Sequence, residues 1–191
     1  MDILGYVLLA GLAALAIYAV SIYNRLVNLK HNVTKAFSNI DVLLKQRHDE
    51  LPKLIATCKQ YMAYEQQTLE RVINARGRVS EARQTGDLKA LGAAEGALRV
   101  GLGNLFALVE NYPELRADQN FKHLQARISG LENQIADRRE FYNEAVNVNN
   151  IRIEEFPDLL IARLFNFQHA QLLQFDATEK ADVDVGALFQ A

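Results

Sequence analysis

The chain has one cysteine, three prolines, no tryptophan and a formal net charge of only −2. Several of these shortages exclude a class of protein. Cys58 alone gives no disulfide framework and no CxxC pair for metal or redox work. It falls on an apolar stripe, which suits a buried inert thiol rather than a nucleophile. The charge balance, with a pI near 6.1, supplies no basic field, so nucleic acid is not an expected partner. Pro52 and Pro157 stand where helices should start and Pro113 where one should end, and alternating strand patterns are absent. The expected class is all-α.

Motifs for chemistry are also missing. His31, His48, His123 and His169 are scattered and form no HExxH, and there is no Gx[ST]xG elbow or ExxH di-metal signature. Gly101-Leu102-Gly103 could cradle a phosphate, but no strand precedes it and no GxGxxG or GK[ST] pattern exists. His48-Asp49-Glu50 fits a solvated capping turn better than a cation site. Only Asp41, His48 and Glu65 would serve a hydrolase, and no spacing recommends them; Glu65 and Glu70 occupy different helical faces. The expectation is a non-catalytic protein with no cofactor and no bound metal.

What is present begins at the amino end. Residues 3–23, ILGYVLLAGLAALAIYAVSIY, carry no charge, and as a helix they span about 31 Å, one hydrocarbon thickness. Lipid tolerates a single span only as a helix, and Tyr6, Tyr18 and Tyr23 lie where aromatic belts sit. Residues 1–23 read as a transmembrane anchor. Ala14-Leu15-Ala16 resembles a signal cleavage triplet, but there is no basic leader and the apolar run continues past it. Arg25, Lys30 and Lys35 follow the span and only Asp2 precedes it, so the N-terminus is expected outside and the C-terminal bulk in the cytoplasm.

No proline or glycine stops the helix at Tyr23. Leu26, Leu29, Val33, Phe37, Ile40 and Leu44 continue at steps of three and four, so the anchor should run straight into the first soluble helix. Pro52 then predicts its end near residues 48–50. A second helix is expected to carry Ile55, Cys58, Met62, Glu65, Leu69, Val72 and Val79 to about Arg83, with a turn at Gln84-Thr85-Gly86-Asp87. The third, from Leu88 to about Tyr112, holds Gly92, Gly96, Gly101 and Gly103, each costing about 1 kcal/mol against alanine. Gly92, Gly96 and Gly103 share a face suited to close contact, within the fold or between subunits. Residues 112–120 read as a loop. A fourth helix carries a coiled-coil-like seam from Phe121 to Asn149 that turns polar at its end.

Short connections should make these helices antiparallel neighbours, so that residues 24–155 form a four-helix bundle. The polar end of the fourth helix demands partners. Asp41, Arg76, Tyr142, Asn143 and Asn149 are candidates for a buried polar network, or more sharply for a ligand site between helices. Residues 156–175 form a short apolar segment that should re-emerge beside the bilayer. Phe156, Leu160, Leu164, Phe165 and Phe167 are expected either at the membrane interface or plugging the bundle. Residues 176–191 read as a flexible acidic tail with an apolar patch from Val185 to Phe189.

These blocks carry a family resemblance. Tyr23 to Ile55, Tyr64 to Arg76, Glu110 to Gln125, Glu132 to Asn150 and Phe156 to Phe167 resemble the LemA family in order and spacing. The motifs are Phe37 to Asp41, Arg47-His48-Asp49 with Pro52, Tyr142-Asn143 and Phe156-Pro157. Phe37 stands where tryptophan is common, and Asn149 where an aromatic is frequent. The resemblance implies an antiparallel four-helix bundle on one anchor in a bacterial cell membrane, with no catalytic activity; a branch associated with magnetosome membranes suggests membrane organisation. The leading functional expectation is a self-associating scaffold at the cytoplasmic face of the inner membrane, contacting lipid and other membrane-associated proteins. Ala10, Ala14 and Ser21 on one side of the anchor, with Gly92, Gly96 and Gly103, are its contact candidates. The competing expectation is a signalling or envelope-stress component that binds a small molecule or lipid between helices.

Overall fold

A computed structural model describes residues 3–175, so the expected acidic tail at 176–191 and its patch at Val185 to Phe189 lie outside the described residues. Among the described residues there are six helices and no strand: α1 Ile3–Tyr61, α2 Gln66–Thr85, α3 Leu88–Val109, α4 Pro113–Ala117, α5 Gln119–Glu154 and α6 Asp158–Leu164. The chain divides into two compact units, Met1–Val42 with Ile135–Leu172, and Leu43–Gln134 with Leu173–Ala191.

In the first unit, α1 is unbroken from Ile3, and none of its side chains is buried before Ile22. From there the same helix acquires a core. Ile22 and Leu26 pack with Ile153 of α5 and Ala162 of α6, and Ile161 and Phe167 close over them. The Tyr23 ring meets Phe165 at 4.7 Å and Phe167 at 5.9 Å between centroids. Further along, Val33, Ile40, Tyr142 and Val146 are buried, and Phe37 meets Tyr142 edge-on at 5.7 Å.

After α6 the chain reverses through Asn166, whose φ of +56° is a left-handed conformation that asparagine tolerates better than most residues. The Phe167 amide donates to the Ala162 carbonyl at 2.9 Å, as a helix-ending turn requires. Residues 167–172 then run as a strap held by α5. Asn150 pairs both ways with Ala170, its Nδ2 donating to the carbonyl and its Oδ1 accepting from the amide, each at 2.9 Å. The Tyr142 hydroxyl donates to the Gln171 carbonyl at 2.7 Å.

In the second unit the sequence expectation needs correcting. Helix α1 does not stop near His48-Asp49-Glu50 but continues through Pro52 to Tyr61, so Ile55 and Cys58 belong to α1 and the turn falls at 62–65. The balance of terms explains this. A proline inside a helix costs about 3 kcal/mol, whereas Leu51, Leu54, Ile55, Cys58 and Met62 are all buried, and each large apolar side chain gains about 1.5–3 kcal/mol. Pro52 also deprives the His48 carbonyl of its helical donor. Arg76 of α2 replaces it, with Nε donating to that oxygen at 3.0 Å.

The turn at Gly86 forms as the sequence predicts: its φ is +69°, and Asp87 caps α3 by accepting from the Ala90 amide at 2.9 Å. The α2–α3 hairpin packs Leu69, Val72 and Val79 with Leu91, Leu98, Leu102 and Leu105. The expected loop at 112–120 instead contains α4. Pro113 occupies its first turn, Leu115 is fully buried, and Asp118 starts α5 by accepting from the Phe121 amide at 2.8 Å.

One of the four glycines of α3 is explained within this unit. At Gly101 a Cβ would meet Val72 at an ordinary contact distance of 3.4 Å. At Gly92 a Cβ would lie 1.9 Å from the Gln174 carbonyl oxygen, so the chain's own C-terminal segment occupies that position. Replacing Gly92 by alanine will therefore lift residues 173–175 off α3. Hydrogen exchange should show faster amide exchange in the peptide 171–175, while Gly103→Ala, with nothing within 4 Å, leaves that peptide unchanged.

Candidate functional site

Two polar constellations stand out, one in each unit. In the second unit Arg47, on the buried stripe of α1 between Leu44 and Leu51, is 1 % exposed. Its guanidinium donates to Glu95 of α3 and to Glu132 of α5, the latter at 2.5 Å. Burial alone would lower the Arg47 pKa, but the two carboxylates more than reverse that and hold it above its ordinary value. The cation is therefore locked in its charged form, and its two terminal nitrogens each face a carboxylate. Such a cluster tethers three helices through groups that water would otherwise solvate.

At the next residue of α1, His48, Arg76 makes two contacts. Beside the carbonyl bond, Nη2 approaches the imidazole Nε2 at 2.7 Å. A guanidinium can only donate, so Nε2 accepts and the ring proton resides on Nδ1. Burial, then the Arg76 charge, pushes the His48 pKa below its ordinary value. Glu50 in turn bonds Lys53 at 3.1 Å and Arg127 of α5 at 2.9 Å; Lys53 first, then Arg127, holds its carboxyl below the usual range against a smaller opposing effect of burial. Residues 48–50 thus lie mid-helix rather than in a turn, with His48 and Glu50 engaged by Arg76, Lys53 and Arg127.

The five candidates for one polar network divide between the units. Arg76 belongs to the second and is engaged by His48, whereas Asp41, Tyr142, Asn143 and Asn149 belong to the first. Within the first unit Tyr142 and Asn150 grip the strap at 170–171, so the polar end of α5 answers to the chain's own C-terminal segment. Burial raises the Tyr142 pKa, keeping the hydroxyl protonated as the donor to Gln171. Asn149 is 3 % exposed, bonds Asn150 at 3.2 Å, and borders a groove of about 550 Å³ between α1 and residues 165–170.

The other candidates are placed as follows. Ala10, Ala14 and Ser21 are exposed on the apolar run. Gly96 borders a shallow groove of about 530 Å³ with Ala93, Ala97 and Val100 of α3 and Arg71 and Arg78 of α2, and Gly103 is open. Phe156, Leu160, Leu164 and Phe165 are exposed, while Phe167 packs inward on the Ile22–Leu26 cluster. Cys58 is buried and its thiol is pushed up to about 12 by that burial.

Arg47 and Glu95 carried a readable signal. Each is a charge standing on an apolar stripe, Arg47 between Leu44 and Leu51 and Glu95 between Leu91 and Leu98, and a charge there must find a partner. Removing one member exposes that dependence. Arg47→Met should cost about 3–5 kcal/mol because it removes the cation held against two carboxylates, one of them buried Glu95, and adding Glu95→Leu should recover most of it in denaturant melts of the full chain.

His48 gives a separate test. Its folded pKa lies below the unfolded value, so below about 6.5 the unfolded chain binds more protons and stability falls as pH drops. His48→Gln should flatten that part of the stability profile between pH 7 and 5; an unaltered slope contradicts the assignment.

Comparison with known proteins matches this arrangement to one family. The chain is 26 % identical to Magnetosome protein MamQ 2 of Paramagnetospirillum magneticum, over 88 % of this chain and 70 % of that protein. It is 23 % identical to Magnetosome protein MamQ of Magnetospirillum gryphiswaldense, over 78 % and 63 %, and 25 % identical to Protein LemA of Metamycoplasma hominis, over 86 % and 74 %. The sequence model of the LemA family matches residues 36–186, from the Phe37 block through the strap that α5 holds, and on that match this all-helical chain, whose first helix fits a membrane anchor, belongs to the LemA family.

Proposed function

We propose that this protein is a single-pass, non-catalytic scaffold or adaptor that self-associates and gathers other proteins at the cytoplasmic face of a bacterial inner membrane. One observation carries the reading. Residues 3–21 of α1 bury no side chain, yet the same unbroken helix supplies Ile22 and Leu26 to a packed core. An apolar helix with no protein against it is stable where lipid or another helix covers it. The arrangement expected beyond it is an antiparallel four-helix bundle of α1, α2, α3 and α5.

Further features support the reading. Ala10, Ala14 and Ser21 leave one side of the anchor narrow enough for close helix approach. Arg25, Lys30 and Lys35 just beyond it favour a cytoplasmic C-terminal bulk. The perturbed ionisable groups Arg47 and His48 are bound up with Glu95, Glu132 and Arg76, an engagement suited to holding helices. The MamQ relatives are named magnetosome proteins, which supports a role in organising an assembly on a membrane. The groove beside Asn149 favours a second reading, in which the protein also senses a lipid or small molecule.

Cysteine crosslinking in native membranes tests self-association. Cys58, with its thiol pushed up to about 12, does not compete under mild oxidation. Ala14→Cys is expected to give covalent dimers, and Leu12→Cys, on the opposite face, is not. Monomers from both variants, with a monomeric mass in nanodiscs, would remove the self-association claim.

A further inference from the structure

The groove between α1 and residues 165–170 is graded along its length. At one end stand the rings of Tyr23, Phe165 and Phe167, and further along α1 stand Lys30 and His31; His169 also borders it. Among the described residues no carboxylate lines it, and His169 pairs with Glu154 at 2.9 Å. Buried Asn149 borders it, and exposed Thr34 lies on its α1 side.

Position adds to composition. Tyr23 ends the uncharged run, and Lys30 stands seven residues later, about 10 Å further along the helix. A headgroup layer is roughly 5–8 Å deep on each side of the hydrocarbon, and a lysine stem reaches back over a few ångströms to place its ammonium there. Beside the aromatic end, Phe156, Leu160, Leu164 and Phe165 are exposed on and around α6, and α6 packs through Ala162 on Ile22 and Leu26, at the very end of the apolar run. Apolar groups at that level border acyl chains rather than bulk water.

We infer that this groove seats the phosphate-bearing headgroup of an anionic phospholipid, with Lys30 and His31 toward the phosphate and the aromatic end toward the glycerol and first acyl carbons. The inference rests on the anchor reading above. It makes residues 156–170 a second point of lipid contact besides the transmembrane helix. A free phosphate would use only the basic end and leave the aromatic end without purpose.

Native mass spectrometry of the full detergent-solubilised chain, offered phosphatidylglycerol or phosphatidylcholine, tests this directly. Phosphatidylglycerol should be retained in preference. Lys30→Glu should lower its retention roughly fivefold or more, since one basic group near a lipid surface contributes about that factor. Thr34→Trp fills the groove without changing charge and should lower retention to a similar extent, whereas Lys122→Glu, exposed in the other unit, should not. No effect of Thr34→Trp overturns the groove assignment in favour of diffuse surface charge, and equal retention of both lipids overturns the selection of an anionic headgroup. Displacement of the lipid by inorganic phosphate overturns the lipid assignment in favour of a free anion. Co-sedimentation with membranes is read alongside: the variants should sediment as the wild type does, and failure of the wild type to sediment would instead sink the anchor reading.

Discussion

An apolar helix that meets no protein is the constraint from which the rest follows. Over residues 3–21, α1 has nothing of its own chain to bury against, so its backbone must keep every hydrogen bond internal and its surroundings must be apolar. The first packed residues, Ile22 and Leu26, come within one turn of that run. Whatever folds at this end does so at the level where the apolar run stops. This accounts for the aromatic rings of Tyr23, Phe165 and Phe167 stacking there and for the apolar residues of α6 remaining uncovered.

Much of the architecture was legible from residue pattern because most of it rests on local rules. Three-and-four spacing located the stripes of α1, α2 and α5, and Gly86-Asp87 marked a turn whose left-handed glycine and capping carboxylate are both present. Pro52 misled because the proline rule is local while the compensation is not. The donor that relieves the His48 carbonyl comes from Arg76, 28 positions away, and the stripe through Met62 outweighs the remaining cost. The break at 62–65 contains neither glycine nor proline, so nothing in its composition announced it.

The candidate sites were legible in kind more than in partnership. A polar end to α5 was foreseeable from Tyr142, Asn149 and Asn150, and it is occupied by an extended strap whose side chains gave no periodic signal. A close contact on α3 was foreseeable from its glycines, yet Gly92 is taken by the chain's own Gln174 and Gly103 meets nothing within 4 Å. Glycine spacing reports that a backbone comes near without saying whose. The charged stripe positions Arg47 and Glu95 show the same limit, since each demands a counter-ion and neither identifies it.

The bond pattern at Asn150 has a chemical consequence. Its amide offers one donor and one acceptor to the backbone of the same residue, Ala170, imitating a strand neighbour with a side chain. Aspartate is nearly the same shape but has no hydrogen to give, so spontaneous loss of ammonia from this residue would turn one of the two bonds into repulsion between oxygens. The helix guards against that reaction: Asn150 lies inside α5, followed by branched Ile151, where the backbone nitrogen cannot swing round to attack the amide carbon. Chemical ageing of the strap's attachment is therefore slowed by the same helix that holds it.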